Sequence, residues 1–300
     1  MPAAGAAAAP AWSGFALALV GSVAFSGKAI IVKLAYRHGV DAVTLIMYRM
    51  LFALPLFLAL SWWAGRGRPA LTRRDWAAVA GLGFCGYYLA SFLDFAGLQY
   101  VSASFERLVL YLNPTLVLLL GALLFKRRPT RAQVLAMAVS YLGVLLVFGH
   151  EVRLDGRNAA LGALLVFGSA LSYAFYLIYS GEEVKRLGSL RLTGLATSVA
   201  CGLCIAQFML LRPLSAALEV APPVLWLSVL NATACTFAPV LMVMMAIERL
   251  GAAATAQTGM VGPVSTILMG VLILGEPFTV WVAAGTVCVL AGIWLLAKWR

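Results

Sequence analysis

The stretch LNPTLVLLLGALLF (112–125) returns as VGPVSTILMGVLIL (261–274), with Pro114 and Gly121 answered by Pro263 and Gly270. The register continues past both stretches, since Thr130 and Gly143 recur as Thr279 and Gly292 at the same step of 149 residues. A second echo, Gly21-Ser22 against Gly168-Ser169, opens each half. Self-similarity of this kind in a chain that is 63% apolar points to a carrier built from two related helical bundles.

Composition fixes the solvent. Charged residues make up 11% of the 300 residues, against about 25% in a soluble domain, and the mean hydropathy is +0.96. The chain therefore reads as a polytopic membrane protein. Its net charge of +11 would suggest nucleic acid in a soluble protein, but most Lys and Arg here fall in short loops and act as orientation signals. No basic segment precedes the first apolar run, so a short tail is expected rather than a cleaved signal peptide. The five cysteines lie inside apolar runs, and Cys201 and Cys204 read as packed helix residues, so neither metal nor cofactor is expected.

About 20 apolar residues cross a bilayer as a helix. The chain divides into ten such segments: 13–35, 43–63, 77–97, 104–125, 132–149, 159–180, 192–211, 223–245, 253–274 and 280–297. Connections are too short for a nucleotide-binding module, and no Walker A sequence is present. Loops after the even-numbered segments carry Arg66, Arg68, Arg73, Arg74, Lys126, Arg127, Arg128, Arg131, Lys185, Arg186 and Arg191. The opposite loops carry Lys33, Arg37, Arg153, Arg157 and Arg212. Both termini are thus expected in the cytoplasm. Five helices per copy is an odd number, so the second copy enters the membrane inverted. Repeats spanning 1–155 and 156–300 follow, and exchanging their conformations would exchange inward-open for outward-open states.

Two passages, FAGLQYVSASFERLVLYLNPTLVLLLGALLF (95–125) and MAIERLGAAATAQTGMVGPVSTILMGVLILGEPFT (245–279), together with MYRMLFALPL (47–56), resemble the EamA-type members of the drug/metabolite transporter superfamily. Within it the chain is most similar to the YddG-type amino-acid exporters. The resemblance implies ten helices in two inverted five-helix repeats and export of small metabolites. One departure is local: the family's usual Gly-Glu after the fourth helix reads Lys126-Arg127, whereas Gly275-Glu276 keeps it in the second copy.

Charges at bilayer depth are costly and mark either function or compensated structure. Lys28, in the middle of the first segment, is a candidate contact for a substrate carboxylate, or else a lysine bonded to carbonyls. Arg49, Asp94, Glu106 and Arg107 lie toward the outer ends of segments 2–4 and form either a balanced ion-pair cluster or a gate whose acids bind a coupling proton. Tyr87, Tyr88, Ser91, Tyr111, Tyr173, Tyr176, Asn231 and Gln257 are candidate substrate contacts, against a reading as helix-packing groups. Pro114 and Pro263, with Gly259 and Gly262, are candidate hinges or static bends.

The expected protein is a monomeric secondary exporter of amino acids and related metabolites in a bacterial inner membrane, working by alternating access, with partners limited to small substrates and lipid. An exporter of cationic drugs and a facilitative uniporter are the alternatives. An enzyme is not expected, because no nucleophile or metal cluster accompanies His38 and His150.

Overall fold

The structure is a computed structural model that describes residues 11–126, 129–155, 157–250, 255, 258–259 and 261–298. Helices α1 (Ala11–Tyr36), α2 (Ala42–Gly65), α3 (Arg73–Gly97) and α4 (Ala103–Leu124) are followed by α5 (Arg131–Asp155), α6 (Arg157–Leu187), α7 (Ser189–Leu211) and α8 (Pro222–Ile247). These eight are long and apolar enough to cross a membrane. Two shorter apolar helices complete the set, α9 (Val261–Leu274) and α10 (Val280–Lys298). No strand occurs among the described residues.

Local chemistry sets the ends. Asp41 accepts from the amides of Val43 and Thr44 and starts α2, and Thr72 with Asp75 forms a capping box at the start of α3. Gly188, at φ 82°, is the whole connection between α6 and α7. Sequence patterning ends the sixth segment at residue 180. The structure carries α6 on to Leu187, because GEEVKRL continues the helix with good helix formers after the apolar run has ended.

Helix pairing reproduces the repeat. α5 packs along α10 and α2 along α7, while α1 lies against α8 and α9 just as α6 lies against α3 and α4. The α5–α10 seam shows the symmetry at atomic scale. A Cβ at Gly143 would stand 2.6 Å from the Gly285 carbonyl, and one at Gly292 would stand 2.7 Å from the Ala136 carbonyl. Ala136 and Gly285 are themselves 149 apart, so the two contacts are one contact seen from each repeat. It is antiparallel and self-complementary, and it requires glycine at both crossings.

Two of the three π-helical stretches among the described residues are also paired; the third, Gly270–Leu274 at the end of α9, has an α-helical counterpart at 121–125. Phe84–Leu89 in α3 and Thr233–Phe237 in α8 are π-helical and begin at equivalent positions. α4 breaks after Leu110 and resumes at Asn113. Pro114 has no N–H to give the Leu110 carbonyl, and Asn113 Nδ2 supplies the missing bond at 2.7 Å. Pro263 likewise leaves the Gly259 carbonyl free, and the Tyr111 hydroxyl takes it at 2.6 Å. Both proline sites are therefore re-bonded.

Short connections place the loops alternately on two faces. The odd-loop face holds 37–41, 98–102, 212–221 and 275–279, tied by Arg212–Asp41 (3.1 Å) and by Arg37 to the Leu274 carbonyl (2.5 Å). On the even-loop face Arg68 reaches the Leu187 carbonyl and Arg191 the Pro69 carbonyl, both at 3.1 Å. Trp12, Trp62, Trp63, Trp76, Trp281 and Trp294 are exposed on the surface that would meet lipid.

Candidate functional site

Three helices of the first repeat bring opposite charges together inside the bundle. Lys28 Nζ on α1 lies 2.6 Å from Asp94 Oδ2 on α3 and 3.3 Å from Glu106 Oε1 on α4. The lysine side chain is 13% exposed, the two acids 2% and 0%. Sequence patterning treats Lys28 apart from the acid and arginine group. The structure instead makes it the cation that the two carboxylates share. Eight residues separate Lys28 from the end of α1, about 12 Å at 1.5 Å per residue, so the cluster sits in the half of the bundle nearer the odd-loop face.

The two arginines turn to neutral partners, in each case including a threonine hydroxyl of the second repeat. Arg49 Nε donates to Thr236 Oγ1 at 3.1 Å, and its guanidinium lies 5.1 Å over the Phe95 ring. Arg107 Nε donates to Thr266 Oγ1 at 2.9 Å, and its Nη2 to the Phe25 carbonyl at 3.0 Å. Three cations and two carboxylates thus occupy one buried region. Several of their atoms make no hydrogen bond: Arg49 Nη1, Asp94 Oδ1 and both Glu106 oxygens, of which Oε1 is only ion-paired with Lys28. Asn231 Oδ1 on α8 is buried and unpartnered as well. Buried polar groups left unbonded are costly, so they mark a place where water or a ligand belongs.

A seam of α1, α4 and α9 adjoins the charges. Ser26 Oγ donates to the Gly262 carbonyl at 2.9 Å, and Tyr111 donates to Gly259. The Tyr111 hydroxyl occupies the space that a side chain at Gly262 would fill. Gly259 and Gly262 thereby admit α4 and α1 closely and offer carbonyls to them.

The remaining tyrosines form a separate cluster. Tyr87 and Tyr176 hydroxyls are 3.1 Å apart, and Tyr173 stacks on Tyr176 with centroids 5.4 Å apart. They fill the junction of α3, α6 and α7, beside a cavity of about 390 Å³ lined by Leu82, Cys85, Phe175 and Tyr176. Tyr88 packs on Phe84. Ser91 is half-buried between these aromatics and Asp94. Gln257 lies outside the described residues. Cys201 and Cys204 are buried and free, with Cys201 Sγ 3.7 Å from Met50 Sδ.

Sequence reasoning missed Ser26, Phe95, Thr236, Thr266 and Glu276. Thr236 shows why. Helical spacing favours Thr233 beside Asn231, but the π-turn shifts the face, leaving Thr233 exposed and Thr236 buried. Ser26, two residues before Lys28, and Thr266, three after Pro263, were visible signals of polar depth.

The EamA-like transporter family model matches residues 12–149 and again 160–298. The chain belongs to that family. YcbK of Bacillus subtilis (strain 168), named an uncharacterized transporter, is 31% identical over 274 residues, covering 86% of this chain and 84% of YcbK. An uncharacterized transporter of Archaeoglobus fulgidus is 24% identical over 229 residues, 76% of this chain and 79% of its own length. A solved crystal structure superposes with a TM-score of 0.59 at 19% identity, covering 95% of this chain and 97% of the other, and shares the fold. As an EamA-family protein the chain is a multi-pass membrane transporter. The double match coincides with the two halves that the proline, π-helix and glycine positions relate.

Proposed function

We propose that this EamA-family transporter is a secondary active exporter of amino acids and related small zwitterions, working by alternating access between repeats 1–155 and 156–300. The observation that carries the reading is the mixed-charge centre: Lys28, Arg49 and Arg107 against Asp94 and Glu106, with unpartnered atoms of both signs. A zwitterion suits such a site. Its carboxylate takes Lys28 or the free Nη1 of Arg49, and its ammonium takes the released Asp94 or Glu106. Partners are exchanged, and no uncompensated charge enters the interior. A cation alone would face three fixed positive groups. Tyr111, Ser91 and Asn231 border the same region and add neutral hydrogen-bonding groups to it.

The even-loop face carries most of the Lys and Arg, which supports a cytoplasmic placement for it and for both termini in a bacterial inner membrane. The test is counterflow in proteoliposomes, screened over amino acids and cationic dyes, with and without a proton gradient. Accumulation of amino acids that falls at least about tenfold in Lys28→Met and Arg49→Met supports the reading, since each loses a charged contact worth that much. A profile restricted to cations overturns it in favour of a drug exporter. Equal rates with the gradient collapsed make the protein a uniporter.

A further inference from the structure

The connection from α9 to α10 reaches across the repeat boundary. Glu276 Oε1 accepts the Ala103 amide at 2.7 Å, and Oε2 accepts the Ser104 amide at 3.2 Å and the Ser104 hydroxyl at 2.8 Å. Ala103 and Ser104 are the first two residues of α4, whose amides have no partner within the helix. The third, Phe105, is served by Ser102 Oγ at 3.1 Å. A carboxylate of the second repeat therefore completes the N-cap of a helix in the first, where the helix dipole also favours negative charge. Glu276 is seated for this: its own amide bonds the Gly270 carbonyl at 3.0 Å, and a Cβ at Gly270 would collide with its carboxylate. Arg37, bonded to the Leu274 carbonyl, and Lys33, bonded to the Val101 carbonyl at 2.8 Å, tie the same corner.

The position 149 residues before Glu276 is Arg127, which lies outside the described residues. The match is geometric as well as sequential, because Lys126 at φ 53° and Gly275 at φ 73° both close their helices in the left-handed region. Arginine has five donors and no acceptor. It cannot accept from the free amides of a helix N-terminus. The first half of α4, Ala103–Leu110, packs against both α6 and α9, and its second half, Asn113–Phe125, packs against α6.

We infer that Glu276 is a one-sided clasp that positions α4 against the α9–α10 connection, closes the odd-loop face, and makes the empty carrier rest with that face shut. The inference builds on the alternating-access reading above, under which the closed face is the outer one and the substrate-free exporter waits for cytoplasmic substrate.

Hydrogen exchange of the empty, lipid-reconstituted protein tests it, read at the Ala103 and Ser104 amides in the wild type, Glu276→Ala, Glu276→Gln and Arg127→Glu. The α5–α10 seam serves as the folding control. Glu276→Ala should speed exchange at both amides by about tenfold, the effect of losing a charged cap, with Glu276→Gln falling between. Arg127→Glu decides the matter. It restores an acceptor on the opposite face, and should speed exchange at Ala103 and Ser104 although Glu276 is intact. A cap without influence on the global state would leave those amides at the wild-type rate in Arg127→Glu, and that result overturns the clasp. So does Glu276→Ala with unchanged exchange. Faster exchange in Arg127→Glu without counterflow of any amino acid supports the clasp while removing the substrate reading.

Discussion

Replacing Lys28 with Met removes the cation that Asp94 and Glu106 share and leaves two carboxylates at 2% and 0% exposure. Breaking a buried ion pair from one side costs about 3–5 kcal/mol. The lower end applies here, because polar couplings measured inside membrane bundles are weaker, averaging about 0.6 kcal/mol per hydrogen bond. About 3 kcal/mol is the expected loss for Lys28→Met, read as reversible unfolding in mixed micelles. Asp94→Asn should cost less, since Lys28 keeps Glu106 at 3.3 Å. In Lys28→Met/Asp94→Asn one carboxylate fewer is left unpaired, so the double variant should be less destabilised than the sum of its parts by about 1.5–3 kcal/mol. Additivity within about 0.5 kcal/mol would show that the two side chains do not share an interaction, and the charge centre would have to be redrawn.

The seam between α5 and α10 makes a symmetric prediction: Gly143→Val and Gly292→Val should each destabilise by about 1–3 kcal/mol or more, and by similar amounts, because each meets a carbonyl across the same crossing. Very different losses on unfolding would contradict the two-fold relation. Lys126 holds a left-handed conformation that glycine adopts freely, so Lys126→Gly should cost nothing or raise stability by about 0.4–1 kcal/mol. A clear loss would mean that the lysine side chain is itself needed there. Burial pushes the Asp41 carboxyl up, but the Thr44 hydroxyl, Arg212 and the Thr44 amide outweigh it and hold the group below its ordinary value. Its stabilising effect is therefore complete above the unfolded value of about 3.9 and is lost as pH falls through the lowered folded value. Asp41→Asn should differ from the wild type at neutral pH and converge with it once the pH has fallen below the lowered folded value. Exposure of both Asp41 and Arg212 keeps the effect small and salt-sensitive.

Much of the architecture was legible because it rests on counting. Apolar length gave the spans, loop charge gave their alternation, and the 149-residue step gave the repeat. Packing-dependent features were not legible. Nothing in YLNP announces that Asn113 re-bonds the carbonyl freed by Pro114, nor that Tyr111 does the same for Gly259 across the repeat boundary. The paired π-turns in α3 and α8 lack a sequence marker, and they rotate the following residues off the α-helical face. That rotation is why Thr236 meets Arg49. The charges of the site were visible one at a time, but which acids Lys28 pairs with depends on how α1, α3 and α4 cross.

The symmetry of the scaffold sharpens what its charges mean. Lys28, Arg49, Asp94, Glu106 and Arg107 all belong to the first repeat. The positions 149 residues later are Leu177, Ser198, Val243, Thr255 and Ala256. The second repeat meets the two arginines with hydroxyls instead: Thr236 and Thr266. Under the alternating-access reading proposed above, a scaffold that exchanges the conformations of its halves would carry a centre with no counterpart in the other half. Whichever way the carrier faces, the same five side chains must serve, moving with their own repeat against a neutral hydrogen-bonding surface. Neutral partners suit that task. A Thr–Arg bond breaks and reforms without stranding a second charge, whereas a buried ion pair spanning the repeats would have to be separated in each cycle against a desolvation cost of roughly several kcal/mol per ion. Under that reading, concentrating both signs in one half would keep those pairs intact while the halves move past each other.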